Sequence, residues 1–165
     1  MTSDQRAGTA PEPDDEREAL ARDSAAAMWA QDRASVGLGM KIRAVAPGRA
    51  TVGMRVREDM VNGYGSCHGG LIATLADSAF AVACNTHGEV TVAAGFDVTF
   101  VAPGRLGDEL VAEATERARF GRSGLYDVTV RALRGDGPPH LVAEFRGRSR
   151  SLGRPVLSPT SGSTS

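Results

Sequence analysis

The chain has 165 residues, with 19 Lys and Arg against 20 Asp and Glu and a formal net charge of −1 at pH 7. This length fits one domain with a single core, and the balanced charge offers no basic surface for nucleic acid. No stretch approaches the roughly 18 apolar residues needed to span a bilayer. We therefore expect a cytoplasmic protein that binds neither nucleic acid nor membrane.

The cysteines and the two ends of the chain define its organisation. Cys67 and Cys84 form no CxxC pair, and no cluster of His and Cys has the spacing of zinc ligands. We expect two reduced thiols and no metal site. Residues 1–15 are acidic with proline, and residues 154–165 end in a run of Ser, Thr, Pro and Gly, which is typical of disorder. The prediction is one domain, residues 16–153, between two disordered tails.

The first third of the chain predicts a helix and two strands. Helical spacing runs from Glu16 to about Asp32, with glycines after it as stop signals. Met40–Val45 and Arg49–Arg57 have the composition of short strands, and the second alternates apolar and polar residues. Pro47-Gly48 between them predicts a turn.

The strongest helix prediction is Gly69 to about Thr86. Its apolar residues extend nearly all round the helix, and Asp77 falls on the remaining side with Ala73 and Ala81. Such a helix is buried on both faces. One face can lie against the sheet of its own subunit, and the other needs a second partner.

The last part of the chain predicts strands separated by short turns, which favours an antiparallel meander. The predicted strands are Val90–Val101, Asp108–Arg119, Gly124–Arg134 and His140–Arg150. Helix, two strands, one long buried helix and four strands predict an α+β fold. Its simplest form is a curved antiparallel sheet wrapped around one long central helix.

Asp77 is the first candidate for chemistry. It lies too deep in its helix for an N-cap, and its neighbours at i±4, Ala73 and Ala81, offer no cation. A carboxylate in such apolar surroundings should have a raised pKa, which suits a general base or a nucleophile.

A second group of candidates precedes the helix. The Gly69-Gly70 pair would let a substrate carbonyl approach the unpaired N–H groups at the positive end of the helix dipole. Asn62 could add its side-chain amide to this oxyanion hole. His68 suits a hydrogen-bonding, positioning role. Each of these also has a structural reading, as a flexible helix start, a turn residue and a surface residue.

Cationic residues near the end of the chain form the last group. Arg146, Arg148 and Arg150 share one strand face by alternation, and Arg119 and Arg122 precede them in the chain. They are interpreted either as a solvated sheet face or as a landing surface for a polyphosphate such as the nucleotide end of coenzyme A.

These motifs together resemble the hotdog-fold acyl-CoA thioesterases, and most of all the phenylacetate-degradation (PaaI-type) subgroup. The resemblance is carried by the segments Asn62-Gly63-x-Gly65-x-Cys67-His68-Gly69-Gly70, Asp77-Ser78-Ala79-Phe80-Ala81 and Phe145-Arg146-Gly147-Arg148-Ser149. It covers about residues 39–153. The spacing is specific, since Asn62 lies six residues before His68 and Asp77 nine residues after it.

The resemblance implies a fold, an assembly and a mechanism. Two subunits join their sheets edge to edge, active sites form at the dimer interface, and dimers commonly pair into tetramers. The Gly69 N–H polarises the thioester carbonyl with Asn62 beside it, and His68 helps to position the group. Asp77 from the neighbouring subunit activates water or attacks directly to form a mixed anhydride. The substrate class implied is an aryl-acetyl (hydroxyphenylacetyl-like) or short- to medium-chain acyl-CoA, with no separate cofactor.

The chain departs from the family pattern at one position, and the resemblance also implies three contacts with coenzyme A. Some relatives carry a Ser or Thr facing the acid to orient water, whereas the matching stretch here is Val92-Ala93-Ala94-Gly95. That role is either absent or supplied by Thr91 or Ser78. Arg122, Arg146 and Arg148 become expected contacts for coenzyme A phosphates, beside Gly70 in the substrate site.

Two rival functions remain. A hotdog hydratase or dehydratase generally places its acid before the His, about five residues apart, whereas Asp77 follows His68 here. A non-catalytic acyl-CoA-binding protein of the same fold would have no need of Asp77, and the chain carries no basic DNA-binding helix.

Overall fold

The structure is a computed structural model that describes residues 14–157. Most of each predicted tail lies outside these residues. Asp14 and Asp15 form the first positions of the first helix, and the last strand continues to Pro155. Within the described residues, regular secondary structure therefore extends two residues beyond each predicted domain limit.

Three α-helices and six strands follow one another along the described part of the chain. The helices are α1 (Asp14–Trp29), α2 (Arg33–Gly37) and α3 (Gly69–Asn85), and a 3₁₀ turn spans Glu58–Met60. The strands are β1 (Lys41–Ala46), β2 (Arg49–Arg55), β3 (Glu89–Phe100), β4 (Glu109–Phe120), β5 (Ser123–Leu133) and β6 (His140–Pro155). Predicted bounds agree closely, except that the first helix ends at Trp29, that the short helix α2 after it was not predicted, and that β6 is longer.

All six strands form one antiparallel sheet in the order β1-β2-β4-β5-β6-β3. The helix α3 packs against its inner face, with contacts to every strand. The predicted α+β fold with a curved sheet around one central helix is confirmed.

The predicted meander is correct for β4, β5 and β6 but wrong for β3. The strand β3 does not form a hairpin with β4; it pairs with β6 at the edge of the sheet, and β2 pairs with β4 instead. The connection of residues 101–108 is too long for a tight turn, and it carries the chain past β6 and β5 to β4. Twelve residues of β3 are thus left on an open edge.

The core lies between α3 and the sheet. Leu75, Ala79 and Phe80 are fully buried, and the Phe80 ring packs 5.4 Å from Tyr126 and 5.8 Å from Phe145, between ring centroids. A fully buried Leu or Phe side chain, such as Leu75 or Phe80, contributes about 1.5–3 kcal/mol by burial. This packing fixes the rotation of α3 and therefore the direction of its less buried side.

The membrane and thiol predictions can be compared with the described residues. Among residues 14–157, no helix combines the length and the apolar character that a membrane-spanning segment requires. Cys67 and Cys84 are both free and buried.

Candidate active site

The start of α3 presents one backbone donor without a partner. His68 is the N-cap residue, and its Nδ1 accepts a hydrogen bond from the Gly70 N–H at 3.1 Å. Since Nδ1 is the acceptor, the neutral ring carries its proton on Nε2. The Gly69 N–H makes no hydrogen bond to any other described residue. Gly69 is therefore the donor left at the positive end of the helix, and Gly70 is already capped.

The loop before α3 fixes the orientation of Asn62. Its Oδ1 accepts hydrogen bonds from the Tyr64 N–H at 2.9 Å, the Ser66 N–H at 3.2 Å and the Ser66 hydroxyl at 3.3 Å. Because Oδ1 accepts all three hydrogen bonds, the Nδ2 amino group is on the opposite side of the amide. It has no hydrogen-bond partner among residues 14–157. The turn interpretation and the site interpretation of Asn62 are compatible, because one amide serves both.

Asn62 and Gly69 line the same groove, of about 330 Å³. We call it the Gly69 groove; its lining residues in the described chain are Asn62, Ser66, Cys67, Gly69, Ile72, Phe100, Val101, Ala102 and Pro103. None of these is charged. Two N–H donors at one apolar groove are the elements of an oxyanion hole.

Asp77 lies on the least buried side of α3. Ala73 and Ala81, one turn away on either side, are half-buried like Asp77 itself, whereas Leu75 and Ala79 are fully buried. One carboxylate oxygen, Oδ1, is buried and has no hydrogen-bond partner in the described chain. Burial raises the pKa of Asp77 above its ordinary value of 3.8. An unpaired carboxylate of this kind favours a role in proton transfer or direct attack.

Asp77 and Gly69 of one chain do not form a single site. They are eight residues apart on α3, which places their Cα atoms about 12 Å apart along the axis. Asp77 is also absent from the lining of the Gly69 groove. The structure brings Asn62, Gly69 and His68 together and leaves Asp77 two turns away.

Ser78 points elsewhere. Its hydroxyl lies 2.9 Å from the Ser35 hydroxyl in α2, and Ser35 in turn donates to Asp32 at 2.7 Å. This buried chain of hydrogen bonds ties α2 to α3 one residue after the acid. The structure therefore gives Ser78 a partner in α2.

The predicted phosphate contacts lie away from the Gly69 groove. Arg146 donates two hydrogen bonds to Asp127 at 2.7 and 3.0 Å, and Arg148 donates to Asp97 at 2.6 Å. Both arginines are exposed and alternate with buried residues of β6, so they lie on the outer face of the sheet. Arg122 donates to the Ser151 carbonyl at 3.1 Å. None of the three lines the Gly69 groove.

Sequence reasoning missed the other wall of the groove. It is formed by Phe100 and by the segment 101–103 that follows β3. Arg134 supports this segment by donating to the Pro103 carbonyl at 3.0 Å and to buried Asp108 at 2.9–3.0 Å. Pro103-Gly104 follows the predicted strand Val90–Val101 in the sequence. No local signal links this pair to Asn62, because the contact depends on the path from β3 to β4.

Comparison with known proteins agrees with this geometry. The family model described as Thioesterase superfamily matches residues 64–138. Acyl-coenzyme A thioesterase PaaI of Escherichia coli K12 is 39% identical over 130 residues, which cover 79% of this chain and 90% of the relative. The chain belongs to the thioesterase superfamily.

Further relatives of this superfamily member extend the comparison. The solved structure of the E. coli PaaI protein from the phenylacetic acid degradation operon has a TM-score of 0.79 at 38% identity, covering 84% of this chain and 97% of that one. Human acyl-coenzyme A thioesterase 13 is 38% identical over 71 residues, 42% of this chain and 51% of the relative. The predicted resemblance to hotdog-fold thioesterases is confirmed. The family membership also confirms the predicted enzyme class, a thioester hydrolase.

The described residues do not provide a set of metal ligands at this site. Among residues 14–157, no group of three or more His, Cys, Asp or Glu side chains is placed to hold a metal ion. The site offers two N–H donors, from the Asn62 amide and the Gly69 backbone, and the Asp77 carboxylate lies two turns away.

Proposed function

We propose that the protein hydrolyses an acyl-CoA thioester to a free acid and coenzyme A, with an aryl-acetyl or short- to medium-chain acyl group. The observation that carries this is the pair of unpaired donors, the Gly69 N–H and Asn62 Nδ2, on one uncharged groove. Two such donors match the oxygen of a thioester carbonyl as it gains negative charge. The relative described as coming from a phenylacetic acid degradation operon supports the aryl-acetyl class and a role in phenylacetate breakdown.

In the proposed mechanism the carbonyl oxygen accepts hydrogen bonds from Gly69 and Asn62. Asp77 of a second copy removes a proton from water, and the resulting hydroxide attacks the carbonyl carbon. Collapse of the tetrahedral intermediate breaks the C–S bond, and the proton on Asp77 passes to the thiolate of coenzyme A. In the alternative route the Asp77 carboxylate attacks the carbonyl carbon, and the C–S bond breaks to release the thiolate and leave a mixed anhydride. Water then hydrolyses the anhydride to the free acid and the Asp77 carboxylate, and the proton released passes to the thiolate. Both routes need the unpaired carboxylate.

The mechanism requires a second copy of the chain because one chain alone cannot complete the site. Reacting groups must approach to about 3–3.5 Å, and the helix holds Asp77 about 12 Å from Gly69 of the same chain. The open edge of β3 supplies a surface for pairing. Val92 and Phe96 on this strand are 43% and 41% exposed, and an uncovered apolar edge strand invites association. We propose a homodimer that shares its active sites and assembles further into a homotetramer in the cytoplasm.

Coenzyme A phosphates are proposed to contact Arg122, Arg146 and Arg148. Arg146 and Arg148 are already paired with Asp127 and Asp97, so each would exchange a carboxylate for a phosphate. Arg122 is exposed, and within residues 14–157 its side chain donates only to a backbone carbonyl. It is therefore the least costly of the three to recruit.

The test is release of free thiol from phenylacetyl-CoA and hexanoyl-CoA by the purified protein. We expect turnover of at least one of them, and a loss of kcat by about 10²-fold or more in Asp77→Asn with the fold retained. A wild-type protein that binds acyl-CoA without releasing thiol would instead support a non-catalytic binding protein. Near-normal turnover by Asp77→Asn would remove Asp77 from the mechanism.

A further inference from the structure

The ring of Phe100 packs directly on Gly69. A Cβ built on Gly69 would lie 3.1 Å from the Phe100 Cζ and 3.3 Å from its Cε2, closer than ordinary van der Waals contact. Gly69 is absent from the glycines with positive φ, and its helical backbone is open to alanine. A Cβ at this position would have to displace the ring by a few tenths of an ångström, so the tight fit comes from the space that the ring occupies and not from the backbone conformation.

The ring is also half exposed, with 51% of its surface accessible. Phe100 is the last residue of β3, and it lines the Gly69 groove. A large aromatic side chain exposed at the rim of a substrate groove has one face free for a ligand.

Geometry places part of the substrate against this face. A carbonyl oxygen bound to the Gly69 N–H lies about 2.9 Å from the nitrogen, and the first acyl carbon is only two bonds from that oxygen. The substituents of the carbonyl therefore pass beside the ring that covers the Gly69 Cα.

The chemistry of the groove distinguishes the acyl group from the coenzyme A arm. Beyond Asn62 and Ser66 the lining is apolar, with Ile72, Val101 and Pro103 and without a charged side chain. The coenzyme A arm carries amides and phosphates, whose burial without polar partners is costly. The Gly69 groove fits the acyl group.

We propose that Phe100 is a specificity-determining residue that contacts the acyl group beside the thioester carbonyl and favours a flat aryl group over an aliphatic chain. This inference rests on the proposed thioesterase function. Aromatic pairs contribute about 0.5–1.5 kcal/mol beyond the area they bury, which corresponds to about a 2- to 12-fold preference.

The experiment compares kcat/KM for phenylacetyl-CoA and hexanoyl-CoA in Phe100→Leu, which keeps an apolar side chain and removes the ring. We expect the ratio to fall about 2- to 12-fold, mainly through loss of phenylacetyl-CoA hydrolysis. Phe100→Ile is a second variant without a ring. Phe120→Leu is the matched control, since Phe120 is 63% exposed at the β4–β5 turn and does not line the groove; its ratio should equal that of the wild type.

A second-site test examines the contact itself. Gly69→Ala retains the backbone N–H but places a methyl group against the ring, and we expect it to lower kcat/KM for both substrates. Adding Phe100→Leu should recover most hexanoyl-CoA turnover in the double variant. An unchanged ratio in both Phe100 variants, or no recovery in the double variant, would overturn the proposal. A wild-type protein inactive on every acyl-CoA would instead reject the thioesterase function.

Discussion

Asn62 and Ser66 are joined by three hydrogen bonds. The Asn62 N–H donates to the Ser66 carbonyl at 2.8 Å, and Ser66 donates its own N–H and hydroxyl to Asn62 Oδ1 at 3.2 and 3.3 Å. The side-chain amide can therefore turn only its NH₂ group toward the Gly69 groove. A short loop thus converts a common turn residue into an oriented donor.

Asn62→Asp tests this donor with little change to the loop. The carboxylate keeps an acceptor for Tyr64 and Ser66 but removes the NH₂ group and adds negative charge where the substrate oxygen becomes negative. We expect kcat to fall by about 10²–10³-fold, with Tm near that of the wild type. Ser66→Ala, measured alongside by thiol release, should lower kcat less than tenfold, since two backbone hydrogen bonds remain. A fully active Asn62→Asp would exclude the amide from the oxyanion hole.

His68 gives a prediction that separates capping from contact with substrate. His68→Ala removes the acceptor for the Gly70 N–H and should cost about 1 kcal/mol of stability, or about 2–4 °C in Tm. It should also lower kcat/KM about tenfold by loosening the turn that aims the Gly69 N–H.

His68→Asn is the matched control, because asparagine is a strong N-cap residue. If His68 only positions the helix start, His68→Asn recovers both Tm and kcat/KM. Recovery of Tm without recovery of kcat/KM, measured by calorimetry and thiol release, would show that the imidazole itself contacts the substrate.

The fold and the helix α3 follow from the sequence because their signals are local. The apolar pattern of α3 lies within one segment, and the observed helix, Gly69–Asn85, agrees with the prediction. The roles of Asn62, Gly69 and Asp77 stay predictions. The position of β3 at the sheet edge depends on pairing with β6, which no local pattern specifies. Likewise, the partners of Ser78, Arg146 and Arg148 lie 43, 19 and 51 residues away.

A β-bulge in β3 is a further feature that alternation could not predict. The register shifts between Ala93 and Gly95, so Val92 pairs with exposed Arg150 whereas Phe96 pairs with buried Gly147. Alternate residues of this strand therefore do not share one face, although a regular strand would place them together: Val92, Ala94, Phe96, Val98 and Phe100. An extra residue reverses the pattern without a change in composition.

The raised pKa of Asp77 predicts that Asp77→Asn lowers activity but raises stability at pH 7. Burial disfavours its charged form, so the native state binds the proton more tightly than the unfolded state. The cost to stability is absent well below pH 3.8 and develops fully as pH rises through the native pKa. Asp77→Asn should have a higher Tm than the wild type at pH 7, by about 2–4 °C for each kcal/mol relieved.

Two pH series check this prediction. The Tm difference between Asp77→Asn and the wild type should shrink toward zero as pH falls to about 3. The wild-type kcat/KM should rise with pH through an apparent pKa above 3.8, because Asp77 works as its carboxylate. An Asp77→Asn protein less stable than the wild type at pH 7 would mean that the carboxylate has a stabilising partner in solution.

Arg134 should support the groove from a distance. Burial alone would raise the pKa of Asp108, but hydrogen bonds from Arg134 and the Arg105 N–H outweigh it and hold that pKa below 3.8. Arg134→Ala should cost about 1–3 kcal/mol and raise KM about tenfold, because the Pro103 carbonyl loses its donor. Since the pKa of Asp108 is lowered, the stability difference should be present at pH 7 and diminish as pH falls below 3.8.

Arg134→Lys is the control that keeps the positive charge but removes the planar guanidinium group with its several N–H donors. Arg134→Lys should retain part of the wild-type stability, but its KM should stay raised. One ammonium group cannot hold both the Asp108 carboxylate and the Pro103 carbonyl in the geometry that arginine provides. Equal KM values for the wild type and Arg134→Ala, measured with phenylacetyl-CoA, would show that the wall of the groove does not depend on this residue.

The most direct test of the shared site is complementation between two inactive variants, Asp77→Asn and Asn62→Asp, co-expressed with different tags. In a mixed dimer one site would combine intact Asn62 and Gly69 of one chain with intact Asp77 of the other. The purified mixed dimer should then recover about half of the wild-type kcat, since one of its two sites is complete. If each site were built within one chain, every site would carry a substitution, and a mixed dimer as inactive as its parents would contradict the account.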